Sequence, residues 1–161
     1  MTDIQGKAPQ AEGGCSCGKV RYGITGAPLF RARCHCRTCQ AYNDAAFGDI
    51  LVLRSRDVTL SGEDQIAFRF HQTPPVVRRG RCSSCDGVAV ERIHLPLFPK
   101  LTILPAPTLD QPEDAPQLDF HMFYHRRRED VADALPKHSG YLSSQWAFAA
   151  GILKGLRKPS R

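Results

Sequence analysis

The chain opens MTDIQGKAPQAEGG, without the basic start and long apolar core of a secretory signal, and no later apolar run approaches the length of a membrane span. These absences give the expectation of a cytoplasmic protein with no membrane contact. The sequence also lacks internal repeats and has a single tryptophan and two methionines. It does not have the low hydrophobicity and high charge of a disordered chain, because 42% of residues are hydrophobic and 24% charged. At 161 residues, one domain with an ordinary core is expected.

What the chain does have is seven cysteines, clustered as Cys15-Ser-Cys17, Cys34-His-Cys36-Arg-Thr-Cys39 and Cys82-Ser-Ser-Cys85. An odd count excludes complete disulfide pairing. In a reducing compartment, thiols at C-x-C and C-x-x-C spacing read as metal ligands or redox groups. A redox role for Cys36 and Cys39 fits less well, since C-R-T-C lies inside a larger ligand cluster without a clear βαβ setting. The formal charge of +6 is weak evidence for a nucleic-acid partner. Seven thiolates around two divalent ions would lower the charge by about 3.

Short runs rich in β-branched and aromatic residues recur as KVRYGIT, LFRARC, FGDILVL, DVTL, IAFRFH, VVRRGRC, VAVERIHL, KLTIL and DFHMFYH. Turn signals at Gly26 with Pro28, Ser61 with Gly62, Pro74 with Pro75, and Asp86 with Gly87 separate several of them. The pattern predicts an all-β, mainly antiparallel domain. Residues 1–12 read as a flexible tail, 13–125 as the zinc-binding domain and 126–161 as an extension. In the extension, Trp146, Ala149, Ala150, Leu153 and Leu156 recur at helical spacing, with Ser143 or Ser144 as the cap. That stripe is expected to pack on the sheet. PAPTLDQPEDAPQLD, with four prolines and four acidic residues, reads as an extended connection.

Structural zinc takes four ligands, and thiolates two residues apart fold back onto one ion through a tight turn. The C-x-C pair needs a local bend, which Gly14 and Gly18 permit. Neither outer pair completes a tetrahedron, so the simplest site joins Cys15, Cys17, Cys82 and Cys85 across the fold. Cys34, Cys36 and Cys39 then offer three ligands. Zinc with three protein ligands keeps a position for water or substrate, where it acts as a Lewis acid or holds a nucleophile as its anion. His35 is expected to face outward or to hydrogen-bond rather than to ligate, because its neighbours already constrain the loop. His71, His94, His121, His125 and His138 have no paired ligand spacing and read as structural or solvated. The run Arg126 to Arg128 reads as a solvated face.

GGCSCGKVRY, CHCRTCQ and RCSSCDG, in this order and spacing, resemble the glutathione-dependent formaldehyde-activating enzyme family, whose CENP-V/GFA domain also occurs in a centromere protein. The resemblance covers residues 13 to 124. It implies the β-tent architecture, with the short C-terminal helix lying beyond the resemblance. It also implies structural zinc on Cys15, Cys17, Cys82 and Cys85, catalytic zinc on Cys34, Cys36 and Cys39, and carbon-sulfur lyase activity on an adduct such as S-hydroxymethylglutathione. The partner it implies is a small thiol or thiol adduct, such as one derived from glutathione. AYNDAAFG stands where the family often carries a Ser-Gly-Ala-Pro-Phe-like stretch, which weakens the glutathione inference; Phe47 keeps an aromatic that either lines a pocket or fills the core. His121 occupies a family position near the open metal. The competing reading is a non-catalytic zinc module that contacts a protein or nucleic acid.

Overall fold

β-Branched and aromatic residues at strand spacing form two sheets in a computed structural model, which describes residues 8–71, 75–93, 96, 97 and 99–158; Pro74 and His94 lie outside the described residues. A three-stranded sheet runs in the order β1 (Ala11–Gly14), β2 (Arg21–Ile24), β5 (Val58–Ser61). A seven-stranded sheet follows the order β10 (Phe120–Met122), β3 (Phe30–Cys34), β4 (Gly48–Arg54), β9 (Leu101–Pro105), β8 (Val88–Ile93), β7 (Val77–Cys82), β6 (Ile66–Phe70). Every pairing is antiparallel except β10 with β3, which is parallel and makes the larger sheet mixed. No described helix is long and apolar enough to cross a membrane.

Strand β4 shows why the large sheet is covered on both faces. Its residues Ile50 to Leu53 are all buried, and successive side chains leave opposite faces. Leu51 and Leu53 join a core with Val20, Tyr22, Val90 and Leu104 that also contains Cys15 and Cys82. Ile50 and Val52 join the opposite core with Phe30, Ile103, Phe120 and Ile152, which contains Cys34 and Cys39. Each outer and middle cysteine group is thus anchored to a different core.

Two elements differ from the expectation. Strand β1 takes in Ala11 and Glu12, inside the segment read as a tail, and Gln10 N–H donates to Ile24 O at 2.7 Å. A helix absent from the expectation, α1 (Arg37–Asn43), follows β3. Its sequence RTCQAYN has no apolar period; it forms because Cys36 Sγ caps its start and Asp44, in the left-handed conformation at φ 48°, closes its end.

The C-terminal helix, α2 (Tyr141–Leu156), exists, but its buried face matches the expected stripe only in part, at Leu156, which packs against the second core. Trp146 is 75% exposed and Leu153 57%, whereas Ser144, Gly151, Ile152 and Gly155 are buried. The helix approaches too closely for larger residues. A Cβ on Gly151 would lie 2.7 Å from Phe30 Cδ1, and one on Gly155 would lie 2.6 Å from Leu29 Cα. Its N-cap is Gly140, without a side-chain cap; Ser144 instead accepts from Phe123 N–H at 2.8 Å and donates to Gly140 O at 2.7 Å. Residues 136–138 run beside β10, where His121 N–H donates to Pro136 O and His138 N–H to His121 O, both at 2.9 Å. The extension is therefore built into the sheet edge and the second core.

Candidate metal centres

Each C-x-x-C or C-x-C pair folds back on itself through local hydrogen bonds. After β1, Gly18 N–H donates to Cys15 O and Cys15 N–H to Val20 O, both at 3.0 Å, and Gly18 takes φ 75°. After β7, Asp86 N–H donates to Cys82 O and Cys82 N–H to Gly87 O, both at 2.9 Å. Asp86 itself carries the positive φ of this turn, 55°, so the shift of glycine to position 87 leaves the turn intact with a residue type that tolerates that region.

These turns bring the sulfurs of Cys15, Cys17, Cys82 and Cys85 within 4.8 Å of one another. Cys15 Sγ lies 3.5 Å from Cys17 Sγ, and Cys17 Sγ 3.6 Å from Cys82 Sγ. A tetrahedral zinc with ~2.3 Å bonds to sulfur requires an edge of ~3.8 Å, so the spacing fits one ion. The cluster joins β1 of the small sheet to β7 of the large one across 65 residues of sequence. Donors surround the sulfurs: Val20 N–H reaches Cys15 Sγ at 3.3 Å. Hydrogen bonds from the Gly87 backbone, then the Ser16 hydroxyl, lower the Cys85 thiol to about 6.

The second group, Cys34, Cys36 and Cys39, also has its sulfurs within 4.8 Å. Cys34 ends β3, Cys36 caps α1 and Cys39 lies in its first turn, where its N–H donates to Cys36 Sγ at 3.3 Å. Gly48, opposite Cys34 across β3 and β4, leaves space, since a Cβ there would sit 3.2 Å from Cys39 Cβ. Hydrogen bonds from Cys34 and Cys39 pull the Cys36 thiol far below its ordinary range, while Cys34 and Cys39 are raised. Among the described residues no His, Asp or Glu joins this group as a fourth ligand.

The surroundings hold residues that spacing alone did not reveal. Arg79 and Glu91, 5% and 2% exposed, lie on β7 and β8 with Arg79 Nε 2.8 Å from Glu91 Oε2. This ion pair is the contact that satisfies the buried guanidinium charge. The Arg79 charge bears on Cys39 and Cys36. Burial pushes Glu91 up to about 7 against the pull of Arg79. Glu91 directly after Val90, on a strand whose one other charge is the half-exposed Arg92, was the available signal.

His35 and His121 are almost wholly buried, at 1% and 0% exposure, and neither belongs to a thiol group. His35 Nε2 lies 3.0 Å from His121 Nδ1, and His121 Nε2 lies 2.8 Å from Asp133 Oδ2. The expectation that His121 approaches the open metal is replaced by this chain. Phe47 is half-buried, with its ring centroid 5.4 Å from that of His35 and 4.6 Å from Arg33 Cζ. Asp49 pairs with Arg31 at 2.8 Å and Arg33 at 3.3 Å. The other described histidines stand apart from the thiols: His125 Nδ1 accepts from Gly140 N–H, His138 contacts Ser143 Oγ, and His71 lies near Tyr42.

The arginine run is exposed, as expected of a solvated face, and two of its side chains also make polar contacts. Arg127 pairs with Asp130, and Arg128 Nε donates to Gln40 Oε1 at 3.2 Å. Gln40 Nε2 in turn donates to His35 O at 2.7 Å and Arg126 O at 2.9 Å, so α1 is tied to the extension.

The donor sets are all thiolate, the soft ligand type that suits zinc, and two such groups at ligating distance are consistent with two metal ions. No curated protein matches the sequence. A crystal structure of a Rhodobacter sphaeroides protein, a structural genomics target, is similar in fold: TM-score 0.51 at 18% identity, covering 66% of this chain and 96% of that one. The family model for the glutathione-dependent formaldehyde-activating enzyme matches residues 10–126, which include all seven cysteines, and the chain belongs to that family.

Proposed function

We propose that the protein is a zinc-dependent carbon-sulfur lyase-like enzyme acting on a small thiol adduct of the S-hydroxymethylglutathione kind. The carrying observation is the three-thiol group without a fourth protein ligand among the described residues. In this reading Cys15, Cys17, Cys82 and Cys85 hold a structural zinc, and Cys34, Cys36 and Cys39 hold a second one. Zinc bound there supplies Lewis acidity at an open position. The protein's own residues prepare that position. The Cys39 backbone N–H, which donates to Cys36 Sγ, favours its thiolate form, and Arg79 offsets the charge of three thiolates in a buried setting. Phe47 and Arg33 form a half-buried aromatic and cationic edge beside His35, suited to the apolar and anionic parts of a peptide-like thiol.

The test is exchange between glutathione, formaldehyde and their adduct, followed by NMR line exchange with native protein and with Cys36→Ser. Serine keeps the N-cap of α1 but is a poor zinc ligand. The proposal expects acceleration by the native protein and a loss of about 100-fold or more in the variant. Equal rates with native and variant protein would refute it.

A further inference from the structure

The thiol loop Cys34-His35-Cys36 is braced from outside the family-matched region. His35 N–H donates to Met122 O at 2.9 Å, and its ring meets His121 of β10. His121 then meets Asp133, which lies seven residues beyond the end of the match at 126. Asp133 is itself held: Lys137 Nζ donates to its Oδ1 at 2.7 Å, and Leu135 N–H donates to the same oxygen at 3.1 Å. Three segments of chain thus converge on one line of hydrogen bonds.

The chemistry of that line is directional. A carboxylate only accepts, so a neutral His121 presents Nε2–H to Asp133 and a bare lone pair at Nδ1. That lone pair requires His35 to present Nε2–H. His35 Nδ1 is then left as an acceptor, buried and without a partner among the described residues. We infer that Asp133 is a positioning residue that sets the tautomers of His121 and His35 and thereby holds Cys34 and Cys36 in ligating geometry. The extension beyond residue 126 is, in this account, part of the three-thiol centre. The inference rests on reading those thiols as a metal site and is independent of any lyase activity.

The geometry also dictates what Asp133→Asn does. Lys137 and Leu135 both donate to Oδ1, so in the variant they retain the amide oxygen and turn the NH₂ group toward His121. His121 Nε2 must then accept, its Nδ1–H donates to His35 Nε2, and His35 takes the Nδ1–H form. Both tautomers invert, as buried histidine orientation follows the partner of the opposite nitrogen.

The experiment is long-range ¹H–¹⁵N NMR of the zinc-loaded native protein and Asp133→Asn at pH 8, with chelator competition on both. The expected native result is Nε2–H on both histidines. In the variant both become Nδ1–H, and zinc affinity at the three-thiol centre falls about 10–100-fold while the four-thiol centre is unchanged. A native His35 in the Nδ1–H form overturns the inference whether or not the variant folds. Unchanged tautomers in the folded variant, or inverted tautomers with unchanged zinc affinity, overturn it as well. A native protein with one zinc overturns the claim on metal positioning. Turnover does not enter the test, so a failed lyase assay is a separate result.

Discussion

Cys82→Ala is expected to leave the protein unfolded or retained in the insoluble fraction, whereas Cys36→Ser keeps a cooperative unfolding transition. Cys82 is 1% exposed at the end of β7, inside the core between the sheets, and its sulfur lies 3.6 Å from that of Cys17. With zinc on this group, one ion joins the small sheet to the large one. Binding free energy at structural zinc sites is folding free energy, on the order of 10 kcal/mol in small zinc domains. A domain of ordinary size has about 5–15 kcal/mol of stability in total. Losing one ligand from the clamp therefore removes much of the margin. Cys36 carries a different burden: it caps a seven-residue helix and contributes to the second thiol group. A serine cap retains that helix start, so the variant should lose only the metal there. Thermal unfolding followed by circular dichroism separates the two, and equal loss of fold in both variants would contradict the division of roles.

Arg79→Met should destabilise the fold by about 3–5 kcal/mol, because it leaves Glu91 as a buried carboxyl without its counter-charge. The double variant Arg79→Met, Glu91→Leu should recover most of that loss, since apolar groups can replace a buried pair at little cost. The deficit also depends on pH. The folded-state value of Glu91 is already raised by burial from 4.5 to about 7, and losing Arg79 raises it further. Between the unfolded and folded values the folded state binds the extra proton, so stability is present at low pH and is lost as pH rises through the folded value. Urea midpoints at pH 6 and pH 8 should therefore show the larger deficit at pH 8. A deficit equal at both values, or no recovery in the double variant, would show that the pair does not act through buried charge.

Nine strands were visible as alternating or apolar runs, because β-branched and aromatic residues fit a pleated, half-buried surface. Strand β1 was not, since AEGG has no such residue. Its glycines answer to neighbours far along the chain: a Cβ on Gly13 would meet Tyr22 Oη at 2.3 Å, and one on Gly14 would meet Val20 O at 2.2 Å. The parallel partnership of β10 with β3 is likewise a matter of topology rather than local pattern. For α2, hydrophobic periodicity identified the helix and misassigned most of its face, because Gly151 and Gly155 permit an approach that larger residues exclude.

The thiol groups were the most legible part of the site, since C-x-C and C-x-x-C spacing constrains which sulfurs can meet. Their surroundings were not. Arg79 with Glu91, and Asp133 with His121 and His35, become partners only when strands and the extension are assembled. Cys36 shows the same limit on a smaller scale: its spacing pointed to a ligand, while its additional service as a helix cap depends on the backbone at φ −66° and ψ 152°.

Zinc-edge absorption spectroscopy with metal counting, on native protein and Cys36→Ser, tests the two-centre account most directly. Two zincs per native chain are expected, with an average shell of mostly sulfur and one light, exchangeable ligand. The variant should retain one zinc in an all-sulfur shell. A single closed four-sulfur zinc in both proteins would contradict the account and leave the three-thiol group without a metal role.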